Sequence, residues 1–283
     1  MLGGLPSGGA TTLLPLILGP CAVESEDGLL EAAEEVAAIV EALGQPALLK
    51  ASFDKANRSS GSSFRGIGLE RALAALADAK ATTGLPTLTD VHEPAQCQTV
   101  AETVDVLQIP AFLCRQTDLI EAAARTGRAV NIKKGQFLAP DDMRKAVDKA
   151  RATGNERVFV TERGYSFGYN NLVVDMRAFA ALQSDGIPVV FDVTHSLQLP
   201  GGGVETGGAR RFAEPLARAA VAAGADGVFL EVHPDPENAL SDSTTQLPPG
   251  RALQLLESLL AVRRAVLPAL RAVQVGAVEA VRA

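Results

Sequence analysis

From Leu14 onward the chain alternates short apolar or β-branched runs with Ala-rich segments whose apolar positions recur at helical spacing. This alternation predicts consecutive βα units feeding a parallel sheet, because buried parallel strands read as near-continuous hydrophobic runs. The predicted strands are LPLILGP near 14–20, ALLKAS near 47–52, PTLTDV near 86–91 and VLQIPA near 106–111. AVNIKK, RVFVTE, PVVFDVT and GVFLEV follow, beginning at Ala129, Arg157, Pro188 and Gly227. After the first strand, Ser25 or Asp27 can cap a helix that carries Leu30, Ala33, Val36, Ala37, Val40 and Leu43 on one face and ends at Gly44. Beyond Gly250, the residues Leu253, Leu256, Leu259, Leu260, Val262 and Val266 mark a last helix.

Eight such units in roughly 250 residues fit a closed (β/α)8 TIM barrel, with an open doubly wound sheet as the alternative arrangement. No linker or composition break divides the chain. The expectation is therefore a single α/β domain over residues 13–283, with residues 1–12 as a small cap or tail. A barrel gathers its active site at the C-terminal ends of its strands, so residues at those ends carry the functional reading.

Charge narrows that reading. Against 33 Asp and Glu stand 26 Lys and Arg, a formal net charge of −7, which argues against a nucleic-acid binder. The apolar stretch from Leu13 to Val23 is interrupted by Pro15, Gly19 and Pro20, and no Lys or Arg precedes Lys50. It fits neither a membrane span nor an ordinary secretory signal. Cys21, Cys97 and Cys114 are too few for a disulfide framework, so a reducing cytoplasm is the expected location.

All three histidines, His92, His195 and His233, fall just past predicted strands. Lys50 and Lys55 follow the second strand, Lys133 and Lys134 end the fifth, and Arg58, Arg115 and Arg163 extend the same rim. A basic rim on an acidic protein suits a small, multiply anionic substrate, unless rim carboxylates simply neutralise it. Cys21, His195, Glu231 and Asp242 would meet from the first, seventh and eighth strand ends and the loop beyond as a site for Zn²⁺, Fe²⁺ or Mn²⁺. Spacing alone leaves that open, because a buried Cys is also an ordinary small hydrophobe and an Asp in a loop an ordinary cap. Cys97 and Cys114 have no evident base beside them and read as structural. The run PGGGVETGG, Pro200 to Gly208, lacks any phosphate-loop order; it reads as a lid or a plain flexible loop, and residues 201–211 are left out of the site.

The runs GPCAVES, KASFDKANRSS, DVHEP, QIPAFLCRQTDL, NIKKGQF, TERGYSFGYNNLVVDM, FDVTHSLQLPGG and EVHPDPENALSD follow one another from Gly19 to Asp242. In this order they resemble 3-deoxy-D-manno-octulosonate 8-phosphate synthase. The resemblance implies a homotetrameric barrel enzyme, a transferase of lipopolysaccharide biosynthesis that condenses phosphoenolpyruvate with D-arabinose 5-phosphate and water. It assigns Lys50, Lys55, Lys133 and Arg163 to phosphoenolpyruvate. Asn57, Arg58 and Ser59 go to the pentose phosphate, with Arg115 reaching it from a neighbouring subunit. Lys55, Asn57, Lys133, His195 and Asp242 become the catalytic set. Cysteine in the first-strand motif implies the metal-dependent class, with Cys21, His195, Glu231 and Asp242 as ligands. The alternatives are 3-deoxy-D-arabino-heptulosonate 7-phosphate synthase, whose KPRTS motif has a proline where this chain has Asn57, a Schiff-base aldolase using Lys133 or Lys134, and a non-catalytic phosphosugar-binding barrel.

Overall fold

The computed structural model describes residues 11–58, 60–199 and 207–282. Eight parallel strands close into a barrel: β1 (Leu16–Gly19), β2 (Ala47–Lys50), β3 (Thr87–Asp90), β4 (Val106–Ile109), β5 (Ala129–Lys133), β6 (Val158–Glu162), β7 (Val189–Asp192) and β8 (Gly227–Glu231). Each pairs with the next, and β8 returns to pair with β1, so the open-sheet alternative is excluded. Eight helices surround them: α1 (Glu26–Leu43), α2 (Leu69–Thr83), α3 (Gln96–Thr103), α4 (Thr117–Arg125), α5 (Pro140–Arg151), α6 (Arg177–Gln183), α7 (Ala213–Ala222) and α8 (Pro249–Arg282). All eight strands lie where the sequence places them. Residues 1–10 of the expected cap lie outside the described residues.

Local chemistry sets the helix ends. The Ser25 hydroxyl accepts from the Gly28 amide at 3.0 Å and caps α1, and Gly44 ends it in the left-handed conformation at φ 60°. The buried face of α1 is Leu29, Ala32, Ala33, Val36 and Ile39, a correction to the expected face. Leu30 is only half-buried, while Val40 and Leu43 pack at the edge. The buried stripe runs through Leu29, Ala32, Ala33, Val36 and Ile39 at helical spacing, and Leu30 falls at its edge.

The core has two parts. The larger lies between the strands and the helices. The smaller fills the barrel with one side chain from each strand: Ile17, Leu48, Leu88, Val106, Ala129, Phe159, Val190 and Phe229. Successive strand side chains alternate faces, so the residues two further on also point inward, and these are polar. Lys50, Asp90, Gln108, Asn131, Thr161, Asp192 and Glu231 thus form a buried polar layer directly above an apolar plug. Gly19 occupies the β1 position in that layer at φ 140°, and a Cβ there would sit 2.2 Å from the Lys50 carbonyl oxygen. Close approach of β1 to β2 therefore requires glycine.

Candidate active site

Above the polar layer opens a cavity of about 1020 Å³ including its mouth. Its lining includes Lys50, Lys55, Arg58, Lys133 and Arg163 against Asp54, Asp90 and Asp242, so the pocket is cationic on an acidic protein. Asn57, His92, Gln108, Gln136, His195 and Gln198 supply neutral or titratable polar groups. Two of its guanidinium nitrogens, Arg58 Nη2 and Arg163 Nη1, are buried without a hydrogen-bond partner among the described residues. Unpaired buried donors on cations ready the pocket for an anion, because leaving them unsatisfied costs roughly 1–3 kcal/mol each or more.

The strand-end cations are held individually. Lys133 Nζ donates to Asp192 Oδ2 at 2.7 Å, lies 3.3 Å from His195 Nδ1 and sits 3.8 Å over the Phe229 ring. Burial lowers the Lys133 pKa, and Asp192 opposes that fall. Arg163 donates from Nη2 to Gln198 Oε1 at 2.6 Å, and Gln198 Nε2 donates in turn to Asp242 Oδ2 at 3.3 Å. Lys50 donates to Glu231 Oε1 at 2.7 Å and to the Cys21 carbonyl at 2.8 Å, which directs it toward β8 and β1. Lys55 donates to Ser52 Oγ at 3.0 Å. Although burial works against its charge, Cys21, Glu231, Asp90 and Asp242 together raise the Lys55 pKa above the ordinary lysine value.

A directed relay crosses the polar layer. Thr161 Oγ1 donates to Asn131 Oδ1 at 2.8 Å, Asn131 Nδ2 donates to Gln108 Oε1 at 2.7 Å, and Gln108 donates to Asp90. Ser52, which accepts from Lys55, closes the relay by donating to the other Asp90 oxygen. Asp90 is buried, yet Lys55 and Lys50 hold its carboxyl well below the usual carboxylate range. Asp90, Gln108, Asn131 and Asp192 are site residues that the sequence reasoning above misses. The signal that finds them is parity, since each stands two residues beyond an interior apolar residue of the same strand.

Cys21, Glu231 and Asp242 each offer a ligand atom within 4.8 Å of one another. His195 faces them, its Nε2 lying 3.6 Å from Glu231 Oε1 and 3.5 Å from Asp242 Oδ2. The four expected ligands therefore converge. Glu231 Oε2 is buried with no partner among the described residues, an acceptor left for a cation. Burial and the two carboxylates push the Cys21 thiol up to about 12, and the Lys50 ammonium and its neighbours draw Glu231 down to about 2. A divalent ion would reverse the field at the thiol and favour the thiolate. Asp242 holds a left-handed backbone at φ 51°, a conformation Asp tolerates, while its carbonyl accepts from the Thr245 and Gln246 amides. One thiolate, one imidazole and two carboxylates thus fit a divalent transition metal.

Other expected residues fall elsewhere. Arg115 is exposed and does not line the pocket, and Ser59 lies outside the described residues, as do residues 200–206 of the expected lid. Of that lid's flanks, Gln198–Leu199 pairs with Gly207–Gly208. His233 faces Glu24 at 3.7 Å rather than the cavity, and its pKa is raised by the Glu24 carboxylate. Lys133 and Lys134, adjacent in sequence, do not share one environment. Strand alternation sends Lys133 inward and Lys134 outward, and burial is the first cause of depression for both. Cys97 and Cys114 are buried free thiols, with Cys97 raised to about 11 by burial.

A sequence model of the DAHP synthetase I family matches residues 7–267. A 2-dehydro-3-deoxyphosphooctonate aldolase of Trichlorobacter lovleyi is 54% identical over 262 residues, covering 92% of this chain and 96% of the relative. Aldolases of the same name from Nitratidesulfovibrio vulgaris (strain DP4) and Nitrosococcus oceani are 58% and 56% identical, covering 87% and 91% of this chain and 91% and 92% of theirs.

Proposed function

The chain belongs to the DAHP synthetase I family, and from that premise we propose that it is a 3-deoxy-D-manno-octulosonate 8-phosphate synthase. It joins phosphoenolpyruvate, D-arabinose 5-phosphate and water, and releases inorganic phosphate. Relatives sharing more than half of their residues with it carry the corresponding name. The observation that carries the reading is the cationic pocket, whose Arg58 and Arg163 each keep a buried nitrogen without a partner among the described residues, as a site for anionic substrates requires.

Carbon 3 of phosphoenolpyruvate must reach the aldehyde carbon of the pentose while water adds at carbon 2, so two anions that repel each other have to be held together. Lys50, Lys55, Lys133 and Arg163 hold phosphoenolpyruvate by its phosphate and carboxylate, and Lys50 also fixes Glu231. Asn57, Arg58 and Ser59 hold the pentose phosphate, joined by Arg115 of a neighbouring copy. Fixing both partners can lower the barrier by as much as roughly 7–11 kcal/mol through orientation. Cys21, His195, Glu231 and Asp242 would hold Zn²⁺, Fe²⁺ or Mn²⁺, which polarises a carbonyl or lowers the pKa of water when bound. The carbon–oxygen bond at carbon 2 breaks. Reaction in ¹⁸O-water therefore leaves solvent label in the sugar acid, and label in the released phosphate alone would overturn that bond assignment.

Phe112 at the pocket mouth, Phe167, Tyr169 and Arg115 are each exposed and available for burial against further copies. This supports self-association, which we read as the homotetramer. Free, buried thiols suit the cytoplasm. Among the described residues no helix is long and apolar enough to cross a membrane. The test is loss of the enol absorbance of phosphoenolpyruvate with arabinose 5-phosphate, with and without a strong chelator. Consumption that stops with chelator and returns with Mn²⁺ or Zn²⁺ is expected. Consumption with erythrose 4-phosphate alone would transfer the chain to the heptulosonate synthases, and binding without any turnover would make it a phosphosugar-binding barrel.

A further inference from the structure

Lys134 and Glu162 stand next to two anion-binding cations yet line no part of the cavity. Lys133 precedes Lys134 at the end of β5, and Arg163 follows Glu162 at the end of β6. Alternation turns Lys133 and Arg163 into the pocket and sends Lys134 and Glu162 out of it. Both outward side chains are fully buried, with Lys134 Nζ 3.7 Å from Glu162 Oε1. The lysine donates at 3.0 Å to the carbonyls of both Gly135 and Gly164, the residues that carry the chain past each strand end. Glu162 Oε1 accepts from the Gly164 amide at 2.6 Å, and the Ser166 amide donates to the Gln136 carbonyl at 3.0 Å, adding another tie between the same two segments. The Tyr165 ring covers the ammonium at 3.5 Å.

We propose that Lys134 and Glu162 are positioning residues that clamp the two rim segments together from outside the barrel and so set the separation of Lys133 and Arg163. A buried ion pair is poor evidence for stability, since well-packed apolar replacements are often neutral or stabilising. Burial indeed pushes Lys134 down and Glu162 up, each toward its neutral form. What this pair supplies is location: one ammonium joins two backbone carbonyls from different βα loops. The inference rests on the assignment of Lys133 and Arg163 to phosphoenolpyruvate, and it adds two residues that never touch substrate.

The test uses the double variant Lys134→Met with Glu162→Gln, which removes both charges at similar length and leaves no lone buried ion. Michaelis constants for each substrate are read beside circular dichroism. The expected result is a folded protein whose KM for phosphoenolpyruvate rises about tenfold while that for arabinose 5-phosphate stays within about twofold, as for a displaced binding group. Unchanged constants, or two constants rising in parallel, would overturn the proposal. If the double variant fails to fold, Glu162→Gln alone decides: a selective rise in KM for phosphoenolpyruvate supports the clamp, and none overturns it. Calorimetric titration with inorganic phosphate separates this idea from the assigned reaction. Tight phosphate binding by the unaltered protein and weaker binding by the variant support the clamp even without turnover. Equal affinities refute it even with turnover, and no phosphate binding by the unaltered protein refutes both.

Discussion

Replacing Asp90 with asparagine would break the relay at the point where its two arms meet. Asp90 accepts from Ser52 on one oxygen and from Gln108 on the other. An amide offers one acceptor and must aim its NH₂ at the second donor. Facing Gln108, it forces Gln108 and then Asn131 to reverse, and Thr161 loses its acceptor. Facing Ser52, it leaves that hydroxyl accepting from both the new amide and Lys55, with nowhere to send its own proton. Either way two bonds to a charged acceptor become neutral ones, about 1 kcal/mol each, and one buried hydroxyl is left without an acceptor, about 1–3 kcal/mol. The total is about 4 kcal/mol, or roughly 7 °C in melting temperature for a chain of this size. Thr161→Val, at the far end, removes one neutral bond and leaves one acceptor short, so it should shift melting by less. Thermal melts of the two variants beside kcat/KM for phosphoenolpyruvate give the comparison. An Asp90→Asn protein that melts with the unaltered protein, or a Thr161→Val change of equal size, would refute the directed relay.

Cys21→Asn should fold and consume phosphoenolpyruvate indifferently to chelator, because an amide can reach Ser241 and Asp242, which now lie 2.8 and 3.4 Å from the sulfur, without binding metal strongly. Chelator sensitivity equal to that of the unaltered protein would count against Cys21 as a ligand. Gly19→Ala should yield little folded protein, since its Cβ would lie 2.2 Å from a backbone oxygen that no rotamer can move, and a soluble variant with unchanged circular dichroism would oppose this. In chelator-treated protein Glu231 contributes stability above its ordinary value of 4.5, and this is lost as pH falls toward about 2, a span of about 3 kcal/mol. The deficit of Glu231→Gln in urea melts should accordingly be full at pH 7 and shrink below pH 4.5; a deficit constant with pH would contradict the assignment.

The barrel is legible in the sequence because each strand is an apolar run bounded by turn residues, and each is followed by Ala-rich helical spacing. Cys21, His195, Glu231 and Asp242 can be grouped in advance because strand ends converge in this architecture whatever the spacing between them. The face of α1 is misread at Leu30, since periodicity gives the width of a stripe more securely than its rotation. Lys134 is legible as a rim cation, but its direction depends on where β5 begins, and one residue decides between pocket and exterior. The relay through Gln108 and Asn131 escapes notice because uncharged amides in a strand carry no chemistry by themselves. Arg115 is exposed and off the pocket lining, so the geometry of a single chain gives it no place at the site.

The ring of eight apolar side chains below the polar layer also shapes the field that substrates meet. A plug of low polarisability closes the barrel beneath Lys50, Lys133 and Arg163, so their field lines leave through the open mouth and little is dissipated through the floor. An incoming phosphate is therefore drawn to the mouth of a protein whose net charge of −7 would repel it at long range. Added salt shortens the reach of both influences, to about 8 Å at physiological ionic strength, but the funnel acts at closer range than the overall repulsion. Capture of substrate should thus be governed by the mouth alone as ionic strength rises, with the acidic outer surface serving solubility and leaving recognition to the barrel's open end.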